Sequence, residues 1–203
     1  MRGGTQDRHL FLIGSTNPGK LREYREMLAG LDLELVAPTD LDPVPSEPTE
    51  DAQTFAENAS TKARGYAWAS GLQTIADDSG LEVYALRGAP GVRSRRFFGD
   101  DASADERNAK LLALLDGVED RSARFVCVTA LASPDGHVEL FEGEVHGEIA
   151  ESPRGDAGFG YDPVFVIAGD GRTIAELPSE EKHRVSHRGI AGAKLRARLA
   201  AGA

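Results

Sequence analysis

The stretch HLFLIGSTNPGKLREYREMLAGLDLELVA, residues 9–37, decides the fold class. His9 to Gly14 is a short apolar run of the kind that becomes a buried strand. Pro18 stands where a helix can begin, because its fixed φ suits the first turn and its missing N–H is not needed there. Leu21, Tyr24 and Leu28 follow at helical spacing, and Gly30 ends the pattern. Leu33 to Ala37 reads as a second strand. Strand, helix and strand in succession open an α/β fold.

Outward from there, Pro38 to Glu50 holds four prolines and several acids and reads as a long loop. Thr54 and Glu57 have capping-box spacing, and Phe55, Ala59, Ala63 and Tyr66 make one apolar stripe that Gly71 closes. Gln73–Ala76 and Leu81–Leu86 read as two short strands, with the Asp77-Asp78-Ser79-Gly80 turn between them. Ser103 and Glu106 cap another helix, carrying Leu111, Leu112 and Leu115. Phe125–Ala132 and His137–Phe141 flank Pro134-Asp135-Gly136 as a hairpin, and strand pattern resumes through Glu144–Ala150. Arg154–Gly160 is a glycine-rich loop, and Ala191–Leu199 a last amphipathic helix. A hairpin beside interleaved helices predicts an α/β fold with a mixed central β-sheet flanked by helices.

The 203 residues suit one domain, expected over residues 9–203 after a short disordered extension over residues 1–8. No run is long and apolar enough for a membrane helix, and the first residues lack the apolar centre of a signal peptide. Cys127 is the only cysteine, so no internal disulfide forms, and its apolar surroundings make it a small buried hydrophobe. These features together predict a cytoplasmic protein. The net charge of −10 argues against nucleic acid as a partner but not against a small phosphorylated ligand. Arginine is the default cation. The chain has only five lysines, and Lys20, Lys62 and Lys182 fall within the motifs below.

Five motifs carry candidate chemistry. Ser15-Thr16-Asn17-Pro18-Gly19-Lys20 joins the first strand to the first helix, where unpaired N–H groups, hydroxyls and an ammonium suit a polyphosphate; a plain helix cap with a surface lysine is the alternative. Asp77 and Asp78 with Ser79 place two acids together, which a cation would neutralise or which could take a proton from water; an Asp-rich turn is the alternative. Asn58 and Lys62 share a helix face, and Glu47, Glu50 and Asp51 upstream could supply a metal carboxylate or be solvated acids. Gly158-Phe159-Gly160-Tyr161-Asp162 lets backbone and rings approach a flat base, or plugs the core with Phe159 or Tyr161. Lys182 to Arg188 (KHRVSHR) concentrates donors in an acidic chain and suits a phosphate or the edge of a purine; a basic approach to a solvated helix is the alternative. Arg93, Arg95 and Arg96 line a cleft or a dimer surface, and Trp68 reads as packing.

In this order, STNPGK, TFAENASTKA, ADDSGLEVYALRGAPGV, PRGDAGFGYDPVF and EKHRVSHRG resemble the inosine triphosphate pyrophosphatase family, the house-cleaning dITP/XTP pyrophosphatases of non-standard purine triphosphates. The resemblance runs from about Phe11 to the last helix. It implies two lobes with the active-site cleft between them, a homodimer, and Mg²⁺-dependent hydrolysis of inosine, deoxyinosine and xanthosine triphosphates to monophosphate and pyrophosphate. It implies that Thr16, Asn17 and Lys20 hold the phosphates and that Lys62 faces the polyphosphate, with Ser15, Pro18, Gly19 and Ser79 also on the substrate. Asp78 is implied as general base and metal ligand, with Glu50 as a second metal carboxylate. Phe159, Gly160, Tyr161 and Asp162 are implied to form the base-side pocket, with Lys182, His187 and Arg188 reading a 6-oxo purine. His183 stands where the family often has Asn, and the GVRSRRF stretch departs from its usual tyrosines. Two other readings remain open: a pyrophosphatase for modified pyrimidine or methylated nucleotides, and a nucleotide-binding sensor that does not hydrolyse its ligand.

Overall fold

The opening segment folds as read: β1 (His9–Ile13), α1 (Pro18–Met27) and β2 (Leu33–Val36). The structure, a computed structural model, describes residues 9–202; the expected extension over residues 1–8 lies outside them. The chain continues through α2 (Phe55–Ser70), β3 (Gln73–Val83), α3 (Ala104–Leu114), β4 (Ser122–Ala132), β5 (Val138–Ile149), β6 (Phe165–Ile167), α4 (Ser179–Val185) and α5 (His187–Ala201). The strands form one mixed sheet in the order β2-β1-β3-β4-β5-β6. β1 runs parallel to both of its neighbours, and the remaining pairs are antiparallel.

The reading of residues 73–86 is corrected. Residues 73–86 are not two short strands about a turn. β3 runs unbroken from Gln73 to Val83, because β4 pairs with it residue by residue from Thr74 to Val83. Tyr84–Leu86 is a 3-10 turn beyond its end. Gly80 serves close approach here, not a turn: a Cβ on it would lie 2.4 Å from both the Gly91 carbonyl oxygen and Ser94 Oγ. The basic segment 182–188 also differs from a simple approach to a helix. It divides between α4 and α5, and Ser186 caps the second by accepting from Gly189 N–H at 3.1 Å.

The pleat of β3 sorts its side chains between faces. Ala76 packs with Phe55, Ala59 and Ala63 of α2. Ile75, on the opposite face, packs with Tyr24 of α1, Leu28 just past its end and Leu195 of α5. Further along that second face, Leu81 and Val83 join Leu111, Phe165 and Ile174 in a separate core. Asp77 and Ser79 fall between these two apolar clusters. The same strand therefore contributes to both apolar clusters and leaves a polar floor between them.

Trp68 departs from its reading as packing: it is 84 % exposed. α2 buries Phe55, Asn58, Ala59, Lys62, Ala63, Tyr66 and Ala67, and position 68 faces away from that side.

Candidate active site

β1 stops at Ile13, whereas β3 continues. β1 lies between β2 and β3, so its carboxyl end is where the chain connections diverge, the usual location of a ligand crevice in an α/β sheet. Gly14 N–H still donates to the Ile75 carbonyl at 2.8 Å. The next carbonyl on that edge, Asp77's, has no strand beside it. Two lysines meet it instead: Lys20 Nζ from α1 at 3.3 Å and Lys62 Nζ from α2 at 3.4 Å.

The first motif combines both of its readings. Asn17 Oδ1 accepts from Gly19 and Lys20 N–H at 2.8 and 3.4 Å, and Pro18 occupies the first turn, so Asn17 caps α1. Ser15 is buried and its Oγ accepts from Asn17 N–H at 3.2 Å, while Thr16 is exposed. This capped turn delivers Lys20 to the cleft floor, with Nζ 3.1 Å from Asp77 Oδ2.

Asp77 points to the α5 side. Its Oδ2 accepts from Arg188 Nε and Nη2 at 3.1 and 3.0 Å. Burial alone would raise the Asp77 pKa, but Lys20, Arg188 and Lys62 override it and hold the carboxyl well below the usual range. Arg188 Nη2 also donates to Ser79 Oγ at 2.6 Å, and Nη1 reaches Glu23 of α1 at 2.9 Å. Arg188, expected to read the base, is therefore a buried tie among α5, β3 and α1.

Asp78 points to the α2 side, where Asn58 Nδ2 donates to its Oδ2 at 2.8 Å and Ser79 N–H to its Oδ1 at 2.9 Å. Burial pushes the Asp78 pKa up; Glu50 adds to the rise, while Lys20, Asn58 and Lys62 oppose it. Asn58 Oδ1 accepts from Ala52 N–H at 3.0 Å and so fastens the acidic loop beside Asp78. Glu50, on that loop, pairs with Lys62, and Arg96 donates to the Glu50 carbonyl at 2.6 Å.

The glycine-rich turn separates its four predicted residues. Gly158 and Gly160 adopt left-handed backbone, and a Cβ at Gly158 would meet Asp162 Oδ2 at 2.2 Å. Phe159 is half-buried against Gly19, where a Cβ would lie 2.5 Å from the ring. Lys182 Nζ and Arg188 Cζ lie 4.9 and 5.3 Å from the Phe159 centroid, within cation–π range. Gly160 contributes its carbonyl to Asn108 Nδ2 at 3.1 Å. Tyr161 is corrected: its ring is buried in the core with Leu81, Val83 and Leu111, and its hydroxyl donates to the Ser94 carbonyl at 3.0 Å. Its side chain is thus the core plug of the alternative reading. Asp162 is buried as well and accepts from Phe159 N–H at 2.8 Å and Lys182 Nζ at 2.7 Å.

Lys182 is held between Asp162 and Glu23, the latter 2.6 Å away. His187 stacks on Phe125, with centroids 4.5 Å apart and rings 9° from parallel. Burial, then Arg188 and Lys182, press its pKa well below that of a free imidazole, so it is neutral at pH 7. Its Nδ1 is buried and makes no hydrogen bond to a described residue. Glu23 escaped the sequence reading because it sits among charged neighbours in a helix; its one signal was its position beside Tyr24 on the apolar stripe.

The donors available for a cation are Asp78 and Glu50, hard carboxylate oxygens near enough for Glu50's charge to bear on Asp78. Among the described residues no three His, Cys, Asp or Glu side chains form a ready cluster. One or two carboxylates completed by substrate phosphates and water is the usual protein share of a Mg²⁺ site, so the residues present fit that ion. Two surface hollows of about 540 and 440 Å³ lie along α1 and β2; of the predicted residues only Pro18 lines either.

The model of the Ham1 family matches residues 11–198. The chain is 50% identical over 190 residues to a dITP/XTP pyrophosphatase of Geobacter sulfurreducens, covering 93% of this chain and 95% of that one. It is likewise 50% identical over 192 residues to the dITP/XTP pyrophosphatase of Thermus thermophilus, covering 94% and 90%. The solved structure of a HAM1 protein from Coxiella burnetii superposes with a TM-score of 0.86 at 41% identity, covering 95% of this chain and 99% of that chain. A mixed sheet with the matched motifs gathered at the end of β1, and this likeness along nearly the whole length, place the chain in the Ham1 family.

Proposed function

We propose that the protein hydrolyses non-standard purine nucleoside triphosphates, those of inosine, deoxyinosine and xanthosine, to the nucleoside monophosphate and pyrophosphate. The observation that carries this reading is the pair of lysines on the Asp77 carbonyl at the end of β1, with a buried, pKa-raised carboxylate on the next residue. The activity for which the Geobacter sulfurreducens and Thermus thermophilus relatives are named supports it.

Lys20 and Lys62 bind the polyphosphate by direct charge, drawn from positions where each already faces the cleft floor. Asp78 and Glu50 would hold Mg²⁺, which when bound neutralises phosphate oxygens. Asp78 accepts a proton as a water oxygen bonds to the α-phosphorus; the bond from that phosphorus to the α–β bridging oxygen breaks, and its electron pair leaves with pyrophosphate. Asn58 fixes the Asp78 carboxylate for that task. Phe159 stacks on the base, and Lys182 donates to a 6-oxo group. Adenine offers an amino group there and leaves the donor unsatisfied, which rejects it. Arg188 acts indirectly, by holding Asp77, Ser79 and Glu23 in register.

The homodimer and a cytoplasmic setting belong to the same proposal. Exposed apolar side chains such as Trp68 and Phe97 suit a surface that a second copy covers. No helix among the described residues is long and apolar enough to cross a membrane.

The test is hydrolysis of ITP, XTP, ATP, GTP and dTTP with Mg²⁺ and identification of products. IMP or XMP with pyrophosphate, and ATP and GTP spared, supports the reading. Release of single phosphates, or preference for the pyrimidine, contradicts it.

A further inference from the structure

Helix α4 carries Lys182 yet has little to hold it in place by itself. It spans seven residues, and its N-cap is Pro178, with no side-chain cap. A helix this short is not stable alone, so its position depends on ties to its neighbours. α1 supplies two ties one turn apart. Glu23, on the buried side, pairs with Lys182. Glu26, on the exposed side, reaches the outer face of α4: its Oε2 lies 2.7 Å from His183 Nε2 and accepts from the hydroxyl of Ser179. Ser179 Oγ and His183 Nε2 are themselves 3.2 Å apart, so the three side chains close a triangle. Hydrogen bonding to Ser179 holds the Glu26 carboxyl below its usual range, with His183 adding to it. From α1 itself, Arg22 lies 4.0 Å from the other oxygen of Glu26. On the far side of α4, Gly189 presses against the His183 carbonyl, where a Cβ would come to 2.1 Å. α4 is therefore clamped between α5 and this carboxylate.

We propose that Glu26, with Ser179 and His183, is a positioning clasp that sets the placement of Lys182 and so the selectivity for the nucleobase. The inference rests on the reading of Lys182 as the donor to the base. Glu26 touches neither substrate nor the reacting atoms; it acts through α4. Because Glu26 belongs to the same helix as Lys20, the clasp also fixes the distance between the phosphate end and the base end of the cleft. A triphosphate whose base has no oxo group at that place loses nothing when the clasp opens, so the effect falls on the preferred substrate.

The experiment measures kcat and KM for ITP and ATP, with thermal midpoints, in Glu26→Ala, Glu26→Gln, a Ser179→Ala/His183→Ala double variant and Lys182→Ala. Glu26→Ala should raise KM for ITP about five- to tenfold, leave kcat within about twofold, and narrow the ITP-to-ATP ratio of kcat/KM by a similar factor. Glu26→Gln keeps an acceptor oxygen and should stay within about twofold of wild type. The double variant should behave as Glu26→Ala does, which keeps the test sound if Glu26→Ala folds poorly. Unchanged KM and selectivity in Glu26→Ala, or an equal loss on both nucleotides with the ratio kept, overturns the clasp. If Lys182→Ala narrows the ratio while Glu26→Ala does not, the clasp alone fails. If Lys182→Ala leaves the ratio intact, the base-side reading falls and the clasp with it.

Discussion

Asp77 and Asp78 are consecutive on β3, and the pleat sends their carboxylates to opposite faces of the sheet and into opposite electrostatic states. Asp77 meets Arg188 and Lys20 and is held ionised; Asp78 meets Asn58 and is pushed toward protonation by burial. Asp77 ties Arg188 of α5 and Lys20 of α1 to β3, whereas Asp78 is the group proposed to take up a proton.

Asp77→Asn should destabilise the protein far more than an ordinary polar substitution. It would leave Arg188 and Lys20 facing a neutral amide in a buried site. Breaking such a pair costs about 3–5 kcal/mol, a fall in Tm of roughly 6–20 °C for a chain of this size. Calorimetry checks this; a loss below about 1 kcal/mol would show that the network contributes little.

Stability should fall on mild acidification because of His187. Its folded pKa is pressed far below that of the unfolded chain, near 6.5. The unfolded state therefore takes up a proton that the native state refuses, so the neutral ring's contribution is full above about pH 7 and is lost as pH falls below 6.5. Urea unfolding from pH 8 to pH 5 should show a decline that His187→Gln flattens. Identical slopes in the two proteins would contradict a buried neutral imidazole.

Lys182→Ala should narrow the preference for ITP over ATP, by about 1–3 kcal/mol in the ratio of kcat/KM, or roughly 5- to 150-fold. The removed ammonium also leaves Glu23 and Asp162 without their shared cation, so thermal midpoints must be recorded beside the kinetics. A ratio unchanged in a folded variant would remove Lys182 from base recognition.

Chelation should abolish turnover, and Mg²⁺ should restore it. In Glu50→Gln the Mg²⁺ concentration for half-maximal rate should rise about tenfold or more, since only one carboxylate would remain at the site. Full activity in excess chelator would exclude the cation from the reaction.

The sheet and its helices were legible wherever local chemistry agreed with the final packing: Thr54, Ser103 and Pro18 stand where their helices start. The run through Asp77-Asp78-Ser79-Gly80 was misread because those residues favour turns on their own. Pairing with β4, distant in sequence, overrides that preference. The motifs were legible as groups of residue types, but their division of labour was not. Tyr161 and Phe159 are two residues apart in a glycine-rich turn, and only the fold decides that one enters the core while the other lies over Gly19. Glu23 carries no local mark of its role, since its partners Lys182 and Arg188 are more than 150 residues away.

The most direct test of the central claim is the single-turnover rate of Asp78→Asn with ITP and Mg²⁺, beside its nucleotide affinity. Asn58 Nδ2 and the Ser79 N–H bond different oxygens of Asp78, so the amide keeps an acceptor for one of them at the cost of a single hydrogen bond; the fold should hold and nucleotide should bind within a few-fold of wild type. The rate should fall by about 10²–10⁴, the usual contribution of a general base. A variant that hydrolyses ITP at the wild-type rate would show that Asp78 does not accept the proton, and that the site works by another group.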